Sequence, residues 1–327
     1  MNTSDSRTNA AAYSCAFGLA LLGLLCVPQL PLASLGSSSS LPSQLDLALG
    51  LEAMSGESSY AIGGSAVSAS GSSSSEVFPL STLEWPLDIW LARLDLGWTF
   101  SPVWRISGSL KTNLTDPDEK IIDRDWLSTS TAQQPDIYSE SEVSSLDALI
   151  FDIALEWTFW QRELWSLYTG AGWQRQHFEY QGWTVSQYSP SGLPGYNYQG
   201  NGGAGMAYDL TYSMPYLLLG SEYQLLPQLR LAGSIAAAPL ISAEDETLLL
   251  LRNKQASGDL DGSAWLLDLS GIYYLTPWWH VKAGLHQVWI DVDGEQHQTV
   301  NGKPVGTIGM EAESKQTSGY LSLGYSF

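Results

Sequence analysis

The sequence predicts an all-β protein, a ten-stranded antiparallel transmembrane β-barrel with long extracellular loops. Three observations predict it. Apolar and polar residues alternate through segment after segment, as they do where one strand face meets lipid and the other a polar lumen. The connections alternate between tight turns and long polar stretches. The chain ends in GYLSLGYSF, with Leu321, Leu323, Tyr325 and Phe327 on one face; a final aromatic residue on an alternating strand looks like the insertion signal of bacterial outer-membrane barrels.

The elements follow in order. Arg7 precedes an apolar run over 16–27, too short to span a bilayer as a helix. With the small residues Ala33-Ser34-Leu35-Gly36 behind it, the run reads as a secretory signal peptide, residues 1–36. Residues 37–327 form one barrel domain. Cys15 and Cys26 fall in the signal, so no disulfide and no cysteine metal site is expected.

In the first strand Leu45, Leu47, Leu49 and Leu51 alternate with Asp46, Ala48, Gly50 and Glu52. The pattern recurs in 83–98, with Leu87, Ile89 and Leu91 on one face. It recurs in 149–159, where Phe151, Ile153, Leu155 and Trp157 oppose Asp152, Ala154 and Glu156. Further strands are expected near 103–113, 164–179, 207–224, 229–242, 263–275, 279–292 and 316–327. Ser101-Pro102, Gln161-Arg162-Glu163, Pro227-Gln228 and Thr276-Pro277 are the tight turns. Long polar segments near 55–81, 114–145, 180–206, 243–262 and 293–315 are the outer loops. Trp98, Trp104, Trp157, Trp160, Trp165, Trp278 and Trp279 border the short turns, and Trp85, Trp90, Trp126, Trp173, Trp183, Trp265 and Trp289 lie toward the long loops. Indole prefers the lipid–water interface, so two girdles are expected.

A net charge of -20 argues against nucleic acid as a partner and suits cationic ligands. The expected partners are outer-membrane lipid and cationic peptides or proteins. Strand acids Asp46, Asp88, Asp152, Glu156 and Asp268 face strand cations Arg93, Arg105, Lys111, Arg230 and Lys282, which reads as a plugged polar core rather than a pore. Two D-x-D-G stretches, at 259–262 and 291–294, read as Asp-Gly turns; calcium is the sharper alternative, but neither carries the twelfth-position glutamate of an EF-hand loop.

The stretch IIDRDW places Asp123 and Asp125 on one side of an extended backbone. Read alone, it is an active site, a metal site or a solvated loop; acid-rich neighbours such as Asp116, Asp118 and Glu119 favour the last. Together with LDLALGLEAMSGESSY, LEWPLDIWLARLDLGWTFSP, MPYLLLGSEY and YYLTP, however, it resembles the omptins, the outer-membrane endopeptidases, over about residues 45–327. The resemblance implies location in the bacterial outer membrane, no cofactor and no metal. It implies a water-activating site in which Asp123 and Asp125 face an acid–histidine pair. The second pair maps onto AEDET, where Asp245 matches but Thr247 stands in the histidine's place. Threonine cannot exchange a proton near neutral pH as imidazole does. His177, His280, His286 and His297 do not match that position. The resemblance also implies acids that seat a basic substrate side chain, here Glu57 and Glu244, with Ala243 at the second matching position. YDLTYSMPY lacks the arginine with which the family holds lipopolysaccharide, although Arg175 and His177 lie in the similar stretch; dependence on that lipid is not carried over.

Overall fold

The structure, a computed structural model, describes residues 44–75, 78–127, 134–200, 202–203, 205–250 and 253–327. Residues 1–36, expected to be a signal peptide, lie outside the described residues. Fourteen strands follow one another: β1 Gln44–Ser68, β2 Ser73–Ser75, β3 Ser81–Pro86, β4 Ile89–Ser101, β5 Trp104–Asn113, β6 Ile121–Asp125, β7 Ile137–Arg162, β8 Trp165–Tyr188, β9 Tyr198–Gln199, β10 Met206–Leu226, β11 Leu229–Leu249, β12 Lys254–Tyr274, β13 Trp279–Val300 and β14 Lys303–Ser326. They build ten staves. β3 and β4 are two parts of the second, β5 and β6 of the third, and β2 and β9 are short additions on β1 and β8. Every neighbouring pair is antiparallel. The ring closes where β14 meets β1, with Leu47 opposite Tyr325 and Leu51 opposite Leu321. Closure pairs the backbone groups that lipid cannot satisfy.

Four tight turns close one end of the barrel, as expected. At the other end the strands run far beyond a membrane span. β7 has 26 residues, whereas a tilted strand crosses the hydrocarbon in about 9–11. The polar segments read as long loops are therefore largely strand. β13 and β14 continue to a two-residue tip, Asn301-Gly302, both in the left-handed region at φ 52° and 71°, the conformation of a tight hairpin turn. DLDG and DVDG sit in mid-strand and pair with each other, Asp261 opposite Asp293. They are neither turns nor calcium loops, because Leu260 and Val292 between the acids are buried in the core and hold the alternation.

Polarity inverts partway along each stave. On β10 the odd residues face outward: Leu217 and Leu219 are exposed near the turn end, and Asp209, Thr211 and Ser213 continue the same face toward the rim. The inward face changes in the opposite sense, from Glu222 to Tyr216, Met214, Tyr212, Leu210 and Tyr208. Below the inversion the strand is solvated by lipid outside and polar groups inside; above it, by water outside and an apolar core inside. Exposed Trp279 and Trp289, ten residues apart on β13, mark the two edges of the apolar belt.

Two expectations are corrected by this inversion. Trp85 is fully buried and does not join the outer girdle. It lies opposite Ser58, on the inward face above the membrane. Leu87, Ile89 and Leu91 are also buried and belong to the rim core rather than to a lipid-facing row. Phe151, Ile153, Leu155 and Trp157 are exposed on the outer face, as read.

The lower lumen is plugged by charge. Glu52, fully buried, accepts from Arg93 Nη1 at 2.7 Å and Lys111 Nζ at 2.8 Å. Arg93 also grips Asp95 at 2.6 Å, and Arg105 bridges Glu156 and Glu222. The Tyr216 hydroxyl donates to Asp152 at 3.0 Å, its ring lying where a side chain on Gly172 would be. A cavity of about 260 Å³ remains among these groups.

Candidate functional site

The rim core positions the candidate acids. β6 pairs with β3 and β7, placing Asp123 opposite Leu83 and Ser139, and Asp125 opposite Ser81 and Ile137. Leu83, Ser139 and Ile137 are buried, so both aspartates face inward; their spacing predicts the shared side and the register supplies which side it is. Arg124 between them points outward and meets Glu84 at 2.5 Å. Across the lumen, AEDET is the upper part of β11. Ala243, Asp245 and Thr247 face inward and are buried, whereas Glu244 and Glu246 are exposed outside.

One phenol joins the two sides. Tyr60 of β1 is raised in pKa first by burial, then by Asp245, with Asp123 and Asp125 adding to the effect. All three carboxylates thus act on the ionisation of a single phenol. Asp245 is only 4% exposed, and neither carboxylate oxygen has a hydrogen-bond partner. The Gly258 backbone approaches it and partly offsets the burial, without completing a hydrogen bond. Gly258 is needed there: a Cβ would sit 2.1 Å from Asp245 Oδ1. Burial, with Asp259 and Glu246 nearby, pushes the Asp245 carboxyl up to about 7. Thr247 Oγ1, buried beside Tyr60, also lacks a partner.

Aromatic rings fill the space between the two sides. Trp85 stacks on Tyr208 and tilts against Tyr180, and Tyr60 lies 6.0 Å from Tyr208. All four are buried. Sequence reading missed this cluster. Its signal was present in MAYDLTYSMPY, whose apolar row alternates with polar residues that a lipid face would not carry.

Glu57 and Glu244 do not join the site. Glu57 lies on the outer wall opposite Lys315, and Glu244 on the outer wall opposite Thr211 and Asp259. No histidine stands with Asp245. His280 and His286 line the lower lumen. His177 faces outward opposite Thr211, and His297 is exposed and bonded to Thr307.

A family model, the omptin family, matches residues 57–318. The chain belongs to the omptin family. Its fold is that of the crystal structure of the outer membrane protease OmpT from Escherichia coli, with a TM-score of 0.70 and 16% identity over 90% of this chain and 100% of that one. The outer membrane protein OprG from Pseudomonas aeruginosa also aligns, at 10% identity over 88% of this chain and 96% of that one, with a TM-score of only 0.38. None of the curated proteins matches this chain. This omptin is therefore an outer-membrane β-barrel whose rim carries Asp123, Asp125 and Asp245 on its inward face and, among the described residues, no imidazole beside them.

Proposed function

We propose that this omptin is an outer-membrane barrel, delivered by its signal peptide, whose extracellular end no longer hydrolyses peptides and serves a structural or binding role. The observation that carries this reading is Thr247. It stands two residues beyond Asp245 on the same inward face, 2% exposed and walled in by Tyr60 and Tyr208. A hydroxyl there neither takes a proton from water nor returns one to a leaving amine near neutral pH. Loss of a general base removes about 10²–10⁴-fold in rate.

The test is to fold the chain in detergent and offer a dibasic peptide library at pH 5 and 7. The expected result is no cleavage by the wild type and measurable cleavage by Thr247→His. Wild-type cleavage abolished by Asp123→Ala would overturn the reading.

A second reading, an endopeptidase acting on cationic peptides through carboxylates alone, is favoured by one observation. Burial pushes the Asp245 carboxyl up to about 7, and Asp245, Asp123 and Asp125 all disfavour ionisation of the same phenol. A carboxyl that keeps its proton can serve as the general acid of such a site. Cleavage at pH 5 but not at pH 8 is its signature.

A further inference from the structure

The outer wall above the membrane carries a second constellation. His177 and Glu179 are two residues apart on β8 and point outward together. Asp209 of β10 lies directly opposite Glu179. One donor atom from each of the three falls within 4.8 Å of the others. His177 Nδ1 is 3.5 Å from Asp209 Oδ1 and 2.9 Å from the Thr211 hydroxyl. The register extends the row: Asp147 of β7 is opposite Glu179, and Glu246 of β11 is opposite Asp209. Four carboxylates thus stand side by side across four strands. Like charges directly opposite in a sheet are destabilising. Among the described residues no lysine or arginine forms an ion pair with any of the four, and the His177 ring is what approaches Asp209.

We propose that His177, Glu179 and Asp209 form a divalent transition-metal site, best suited to zinc. Nitrogen and carboxylate ligands hold zinc at about 2.0–2.2 Å, which sets two ligands of one tetrahedral ion about 3.3–3.5 Å apart. The His177–Asp209 separation already meets that spacing. One neutral imidazole and two carboxylates balance a dication, and the mixed nitrogen–oxygen set favours zinc over calcium, which takes six to eight oxygens. The fourth position is open to water. Rigid backbone pairing on both strands fixes the ligands. The ion would tie β8 to β10 just above the belt, where exposed Leu149 still faces outward opposite His177. Single-sequence reading cannot find this site, because the third ligand arrives through strand register.

The test uses the tag-free chain refolded in detergent and stripped with chelator. Zinc chloride is titrated by calorimetry and bound zinc counted by elemental analysis. The expected result is one zinc per chain, not displaced by equimolar calcium. His177→Ala and Asp209→Asn should each weaken binding by roughly ten-fold or more. His297→Ala, an exposed histidine elsewhere on the wall, should change nothing. All three positions are solvent-facing, so the barrel folds in each variant, checked by heat-modifiable mobility. Absence of zinc binding by the wild type, or binding indifferent to both site variants, overturns the proposal; so does loss of binding in His297→Ala.

Discussion

Trp85 and Tyr208 stack face to face, ring centroids 4.3 Å apart and planes 9° from parallel. The indole comes from β3, next to the strand that bears Asp123 and Asp125. The phenol comes from β10, next to the strand that bears Asp245. The pair therefore ties the two halves of the candidate site together across the lumen. Trp85→Ala should cost about 3–5 kcal/mol, the range for a buried large aromatic. Chemical denaturation in micelles, followed by near-ultraviolet circular dichroism, measures it. A loss below about 1 kcal/mol, within the ordinary scatter of single substitutions, would show that the ring is not a wedge.

Asp245 sets a pH dependence with a definite sign. Its folded pKa, about 7, lies above the unfolded value of about 4. Below pH 4 both states are protonated and the carboxyl is neutral in the core. From pH 4 to 7 the unfolded carboxyl ionises while the folded one does not, so stability falls as pH rises. Above about pH 7 the penalty levels off. Asp245→Asn should flatten this slope and stabilise the barrel at pH 8 by up to a few kcal/mol. Denaturant midpoints from pH 4 to 8 decide it; an unchanged slope in the variant sinks the assignment.

Glu52 anchors the lower lumen. Removing it as Glu52→Ala leaves Arg93 and Lys111 with less than their full charge partner in a buried place. Breaking one partner of a buried pair costs about 3–5 kcal/mol. The temperature at which the folded form disappears on unheated gels should drop. Retention of the wild-type midpoint would mean that lumenal water compensates the two cations.

Glu57 and Glu244 lie outside, so they should be silent. Glu57→Gln and Glu244→Gln should shift stability by no more than about 0.5 kcal/mol. They should also leave unchanged any cleavage gained through Thr247→His. A change in that cleavage would place them at the substrate after all.

The fold was largely legible because a membrane barrel writes period-two alternation and turn asymmetry directly into the chain. Leu47, Leu49 and Leu51 announce the lipid face, and Ser101-Pro102 the turn end. The rim was less legible. There the polar face turns outward, and a polar outward row without lipid reads as loop. Asn301-Gly302 was the available correction, since that dipeptide between alternating segments signals a hairpin. Asp123 and Asp125 were legible as a same-side pair. What surrounds them was not: Tyr60, Trp85 and Tyr208 meet only through the closure of ten strands, and no local spacing encodes that meeting.

The reversal of polarity at the girdle also has a mechanical meaning. Sliding the cylinder inward by one residue pair would carry the exposed carboxylates of Asp261, Asp291 and Asp293 toward hydrocarbon. Sliding it outward would lift bare leucines into water. Both displacements are opposed by steep free-energy walls, so the protein floats at a fixed draught, and whatever the rim engages is met at a constant height above the lipid.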